Sequence, residues 1–356
     1  MTNNTEFTDT ISWDHPIFKP EDKRYWLYVG LGCPYSHRAL LARALKGLES
    51  TIGLTVTHWE KGPNGWKFMQ LKDGDNPKKD TPFEICGGVI LPNKDETNSF
   101  LDCTPGTERM YIDGTFDPFN GFKDLKDLYL QSNPNFTGAL SIPVLYDTKT
   151  KKIVNNQSGD IIEILNSGVF DKWSNPNTKK IDLLPEEFSK EIEEFHSWAY
   201  PNINSGVYKT GYSKTQEDYE TNLHKLFDSL KKVEEILKNR YEVLVKKYGK
   251  DNEKEILRNF FIITDHITES DITLFAPLIR FDAIYFNYLK TNLGAIRYDF
   301  PCIHLWLRNL YWNYKEFQLT TNFKHIKLFY SFMPNGLNPN KTVALGFRPD
   351  IKPLED

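Results

Sequence analysis

From Arg24 to His58 the chain passes from an aromatic, apolar run through a glycine turn into strong helix formers and out into a second apolar run. That order restricts the start of the fold more than any other feature. RYWLYVG reads as a buried strand closed by Gly30 and Gly32. Pro34 suits a first helical position, where the N–H it lacks would have no helical partner. Ala39, Leu40, Leu41, Ala42, Ala44 and Leu45 carry the helix on. Residues 51–58, TIGLTVTH, form a second strand. Strand, helix, strand is the opening of an α/β unit, and it leaves Cys33 at the helix N-cap.

Residues 60–117 hold Gly, Pro, Asn, Asp and Lys without helical or strand period and are expected as a long insertion loop. A helix follows around 120–131. Leu140 to Tyr146 is an apolar strand whose Pro143 is tolerated only at an edge, a strand start or a cis turn. A polar turn at 147–151, a return strand at 152–155 and a helix from Gly159 complete this half. After Trp173 the pattern is helical. Phe188, Ile192, Phe195 and Ala199 recur at helical spacing until Pro201, which is expected to stop that helix. A long amphipathic helix covers 215–247, with Tyr219, Leu223, Leu226, Leu230, Val233 and Leu237 on its apolar face. Thr268-Glu269-Ser270-Asp271 has capping-box spacing and opens a helix through Tyr285. Two more helices are expected at 301–313 and 322–332. The division is an α/β domain at 1–172, carrying the 60–117 insertion, and an all-α domain at 173–356.

A chain of 356 residues is too long for one ordinary core. With 26% charged residues, no apolar run is long enough to span a bilayer. A net charge of -4 without a basic stripe gives nucleic acid no footprint. MTNNTEFTDT lacks the basic and apolar regions of a secretory signal. The four cysteines make no CxxC pair and no dense disulfide framework, and the eight histidines make no HxH or HExxH. A reducing cytoplasm is expected, and no metal.

Cys33 carries the chemistry. A thiol at a helix N-terminus feels the positive end of the dipole, which favours thiolate and so nucleophilic attack. Ser36 stands where a dithiol oxidoreductase has its second cysteine, so Cys33 would work through a mixed disulfide with an external thiol. Cys86, Cys103 and Cys302 lack this setting and read as structural. His37 and Arg38 read as helix packing and surface charge.

Cys33-Pro34-Tyr35, Ile142-Pro143-Val144, Gln157-Ser158 and an all-helical second half together resemble a cysteine-type glutathione transferase. The resemblance is to the omega-like transferases of yeasts and the glutathionyl-hydroquinone reductases, also called the xi class. It runs over nearly the whole chain through GCPYSHRALLAR, Gly65-Trp66-Lys67-Phe68, IVNNQSGDII, TESDI, IRFDAIY and HIKLFY. It implies a thioredoxin-like domain that binds glutathione as co-substrate and a helical domain that takes a small aromatic or disulfide acceptor. It also leaves room for a homodimer. By the same resemblance Pro143 is cis, the backbone of Val144 pairs with the cysteinyl part of glutathione, Gln157 and Ser158 hold its γ-glutamyl end, and Trp66 lies against it. Tyr208, Tyr285 and Tyr330 match three tyrosines that line the acceptor pocket. Bacterial relatives have glutamate at the position of Gln157 and arginine at that of Ala139, two charges this chain does without. The implied activity is thiol transfer at Cys33, deglutathionylating glutathionyl-hydroquinones or small mixed disulfides. Conjugation of glutathione to electrophiles and a non-catalytic regulatory protein are the competing readings.

Overall fold

The computed structural model describes residues 5–70, 114–178 and 180–355. By their contacts the residues form two units, Met1–Lys180 with Leu319–Lys341, and Ile181–Gln318 with Thr342–Asp356. Residues 319–341 therefore go with the strands, whereas a single division at 172/173 assigns them to the helices.

The first unit is built on a four-stranded sheet of β1 (Tyr25–Val29), β2 (Gly53–Val56), β5 (Val144–Asp147) and β6 (Lys152–Asn155), in the order β2-β1-β5-β6. β1 runs parallel to β2 and antiparallel to β5, and β5 runs antiparallel to β6. The parallel pair is joined by α1 (Pro34–Leu45), as the opening sequence requires. β1, β2 and β5 are buried at every residue, so they read as continuous apolar runs rather than alternating ones. α1 packs against α3 (Ser158–Asn166), while α2 (Leu125–Ser132) packs against β6. Arg24 closes one end of the sheet with two bonds to buried Asp147, Nε to Oδ1 at 2.8 Å and Nη2 to Oδ2 at 2.6 Å. Breaking a buried pair of this kind costs about 3–5 kcal/mol.

The insertion departs from expectation in its first residues. Lys61–Gly62 (β3) and Gly65–Trp66 (β4) pair as a small antiparallel hairpin, its turn made possible by Gly65 at φ 94°. Two-residue strands are too short to leave a period in the sequence. Most of the remaining insertion, with Cys86 and Cys103, lies outside the described residues.

The second unit is helical. Its main elements are α4 (Ser189–Ala199), α5 (Gly206–Gly211), α6 (Gln216–Tyr248), α7 (Glu253–Arg258), α8 (Glu269–Arg280) and α9 (Pro301–Asn313). The capping box forms as expected, with Asp271 Oδ2 accepting from Thr268 N at 3.0 Å. Pro201 does not stop its helix. The chain widens into a π turn over Tyr200–Asn204, where Ser205 N donates to Tyr200 O, five residues back, at 2.9 Å. Pro201, the second residue of that segment, has no N–H to give Ser197 O four residues back, and the chain widens where that bond is missing. A second π turn, Phe281–Tyr285, follows α8. The two are linked. Pro277 inside α8 cannot donate to Thr273 O four residues back, and Asn204 Nδ2 donates to that carbonyl instead at 2.7 Å.

Candidate active site

In the first unit, Cys33 is the N-cap of α1 with extended backbone, φ -78° and ψ 124°. The Cys33 side chain makes no capping bond to this helix, whose first turn holds no acidic residue. Cys33 N donates to Gly30 O at 3.0 Å, and Ser36 Oγ accepts from Gly30 N at 3.2 Å, so the serine ties the turn to the strand end. Cys33 Sγ lies 3.7 Å from Ile142 O, on the residue before Pro143, and the Ile142–Pro143 bond is cis. The thiol is largely buried, at 7% exposure.

The turn is held from behind by a residue the sequence reading missed. Phe329, on α10 (Phe323–Ser331), occupies the space a side chain at Gly32 would need, since a Cβ there would sit 2.2 Å from Phe329 Cγ. Its ring also stacks on Trp66 at 4.6 Å and 15°. The close pair Gly30 and Gly32 was the local signal, because glycines at a strand end mark a close approach by something bulky. The same segment bonds to the first unit through His37 Nε2 and Thr320 Oγ1 at 3.1 Å, and through His325 Nε2 and Thr57 O at 3.3 Å. Residues 319–341 join the strands for this reason. His37 is thus a packing residue, as read. Arg38 is not surface charge: it is buried at 3% exposure, its Nη1 3.4 Å from Ser158 Oγ.

Val144 begins β5 and registers with Tyr28, while the β6 ladder starts one residue later at Leu145. β5 is an inner strand, so the backbone available beside Pro143 is its first residue rather than a full edge. Gln157 is the N-cap of α3, but its side chain caps no helix N–H; Asn155 Oδ1 accepts from Gln157 N at 2.7 Å. Ser158, at the first helical position, is buried beside Arg38. Ala139 is exposed. Cys33, Trp66, Val144, Gln157 and Ser158 all belong to the first unit.

Tyr208 and Tyr285 belong to the second. The π turns aim them at each other: Tyr208 sits on α5 just past the first, Tyr285 ends the second, and their hydroxyls are 3.2 Å apart. Tyr212, exposed just past the end of the same helix, stacks on Tyr208 with centroids 6.1 Å apart. Tyr330 is the third tyrosine of the expected trio. It lies buried on α10 in the first unit, edge-on to Phe329 at 5.3 Å.

Cys302 also corrects the sequence reading, because it too sits at a helix start, in the first turn of α9. There Glu234 takes the free N–H groups, accepting from Cys302 N at 2.8 Å and from Ile303 N at 2.9 Å. Burial, followed by the Glu234 charge, pushes the Cys302 thiol up to about 12. Among the described residues no helix is long and apolar enough to cross a membrane.

Residues 32–167 match the glutathione S-transferase N-terminal domain, and residues 216–309 its C-terminal domain. Glutathione S-transferase omega-like 2 of Saccharomyces cerevisiae is 44% identical over 98% of this chain and 95% of its own length. Glutathionyl-hydroquinone reductase PcpF of Sphingobium chlorophenolicum is 33% identical over 92% of this chain and 84% of its own. The crystal structure of the xi glutathione transferase ECM4 from Saccharomyces cerevisiae in complex with glutathione superposes with a TM-score of 0.89 and 43% identity, over 98% and 97% of the two chains. With a thioredoxin-like sheet unit, a helical unit and relatives of this extent, the chain belongs to the glutathione transferase family, among the omega-like and xi-class enzymes.

Proposed function

We propose that this enzyme is a glutathione-dependent thiol transferase and reductase whose nucleophile is Cys33 and whose preferred substrates are glutathionyl-hydroquinones. The observation that carries the reading is the place of the thiol: at a helix start with no acid in its first turn, 3.7 Å from the carbonyl that precedes cis-Pro143 and Val144. A backbone ledge beside a nucleophile suits an extended thiol peptide, which pairs through its main chain and presents its sulfur. The α3 N-terminus, with Ser158 and the Gln157 amide that caps nothing, suits the carboxylate at the γ-glutamyl end. Arg38 supplies a positive charge beside Ser158. Glutathione bound to the yeast xi transferase and the reductase activity named for the Sphingobium relative support the assignment.

The chemistry needs one cysteine. The Cys33 thiolate attacks the glutathionyl sulfur, the carbon–sulfur bond to the ring breaks, and the ring carbon takes a proton, so the ring carbon is reduced and the two sulfurs are oxidised to a mixed disulfide. A second glutathione, as thiolate, attacks the glutathionyl sulfur of that disulfide, releasing oxidised glutathione and restoring the Cys33 thiolate. Ser36 in place of a second cysteine offers no resolving thiol at that position. The Tyr208–Tyr285 phenol pair is the helical unit's candidate for the quinol oxygens. Such chemistry runs on a glutathione-rich, reducing compartment, in keeping with the cytoplasm.

The test compares kcat/KM for glutathionyl-menadiol and for chlorodinitrobenzene in the parent, Tyr208→Phe and Tyr285→Phe. The quinol is expected to be preferred, and each lost hydroxyl to weaken it by about 0.5–1.5 kcal/mol, up to roughly tenfold. Preference for chlorodinitrobenzene, with both variants indifferent on the quinol, would move the assignment to conjugation.

A further inference from the structure

The π turn that ends in Tyr285 is bracketed by residues far from it in sequence. A single wide turn is poorer in hydrogen bonding than the α-helix it interrupts, so its shape depends on what holds it from outside. Asp282, the second residue of the turn, is buried, and its carboxylate accepts three bonds: from Ile296 N at 2.8 Å, Arg297 N at 3.1 Å and Arg297 Nε at 3.0 Å. The other arm of the same guanidinium, Nη2, donates to Pro349 O at 3.1 Å and Asp350 O at 3.0 Å. Arg297 thus joins the turn to the C-terminal segment.

That segment lies on the turn itself. Gly346 has φ 68°, and a Cβ placed on it would be 3.0 Å from Ala283 O. The Phe347 ring meets Phe286, the residue after the turn, edge-on at 5.4 Å, and the Arg297 guanidinium covers it at 4.8 Å. Further along, Trp312 Nε1 donates to Lys352 O at 2.8 Å and Arg308 Nη1 to Pro353 O at 2.6 Å, so α9 pins the tail in place. Residues 282, 283 and 286 are therefore gripped, while Tyr285 among them turns its hydroxyl to Tyr208.

We propose that Arg297 is a positioning residue for the acceptor: through Asp282 and the tail carbonyls it makes the C-terminal segment a strap that sets the Tyr208–Tyr285 pair. This rests on the reading of that pair as the group that holds the quinol oxygens. A strap of this kind separates acceptor recognition from thiol chemistry, since no part of it belongs to the unit that carries Cys33.

Two variants test it in the full-length enzyme. Arg297→Lys keeps a charge for Asp282 and loses the fork to the tail; Gly346→Ala keeps the ion pair and drives a methyl, at a φ few side chains adopt, against Ala283 O. Each is assayed on glutathionyl-menadiol and on a small mixed disulfide without an aromatic ring, alone and combined with Tyr285→Phe, with melting temperatures recorded. Each variant is expected to lose about three- to tenfold in quinol kcat/KM, with the disulfide rate and the KM for glutathione within about twofold, and to add no further loss in the Tyr285→Phe background. Equal losses on both substrates, or a loss that multiplies with that of Tyr285→Phe, would overturn the positioning role and leave the acceptor pair standing. A Tyr285→Phe variant with unchanged quinol kinetics would overturn the acceptor reading, and this inference with it.

Discussion

Cys33 and Cys302 occupy nearly the same local frame and meet opposite fates. Each lies at the start of a helix with a proline beside it, Cys33-Pro34 on α1 and Pro301-Cys302 on α9. At Cys33 the N-cap side chain makes no capping bond and no acid stands in the first turn of the helix, a setting in which the dipole's positive end favours thiolate. At α9 the Glu234 carboxylate occupies that place, and burial with the Glu234 charge drives the Cys302 thiol up to about 12. A helix N-terminus therefore does not make a cysteine reactive on its own. Burial decides first and a carboxylate that claims the amide groups second, and that partner can come from sixty-eight residues away.

The largest test of this contrast is exchange of each thiol for a hydroxyl. Cys33→Ser is predicted to lower the reduction of a glutathionyl mixed disulfide by roughly a thousandfold or more, as loss of a covalent nucleophile does. Cys302→Ser is predicted to stay within about twofold of the parent, because no step uses that thiol. Intact mass after incubation with oxidised glutathione checks the same point, with one glutathionyl adduct in Cys302→Ser and none in Cys33→Ser at short times.

A smaller effect is expected from removing the claim on α9. Glu234→Gln takes away the charge while keeping an acceptor for the two amides, and Cys302 alkylation near pH 8 is predicted to rise by about three- to tenfold. Burial, the larger cause of the raised thiol, remains, so Cys302 should still trail Cys33. The weaker cap should also cost about 1 kcal/mol in a urea melt. Unchanged labelling of Cys302 would show that burial alone sets its inertness and would remove half of the comparison.

The contrast also has a pH signature in the α9 turn. His304, two residues past Cys302, is held down to about 4 by burial and by the charges of Arg308, Arg297 and Lys352. Its folded value lies below the ordinary 6.5, so the unfolded chain takes up the proton first as the solution is acidified. The contribution is complete above about pH 6.5 and is lost as the pH falls toward 4. Urea melts at pH 7.5 and 4.5 should show a loss that His304→Gln reduces. An equal loss in that variant would assign the acid sensitivity to other groups.

What could be read from the sequence was mostly what neighbours in the chain decide. Pro34 at a helix start, the Thr268–Asp271 capping box and the turn between β5 and β6 are all local devices, and all formed. The place of Cys33 at the N-cap followed from the same logic. Partner choice across long separations was out of reach. Nothing beside Gly32 names Phe329, nothing near α9 names Glu234, and nothing in Asn204 reveals that it replaces the N–H that Pro277 lacks. Arg38 failed for a related reason: an arginine on a helix is usually exposed, and its partner Ser158 lies 120 residues on.

We propose that, of the two described cysteines, Cys33 is the one in a setting that makes a thiol nucleophilic near neutrality. Timed iodoacetamide labelling of the native enzyme across pH 6 to 8.5, with peptide mapping of all four cysteines, measures it directly. The account predicts that at pH 6 Cys33 is modified at least about ten times faster than any other cysteine and that Cys302 is labelled only slowly at pH 8.5. Labelling of Cys302, Cys86 or Cys103 as fast as Cys33 at pH 6 would contradict it.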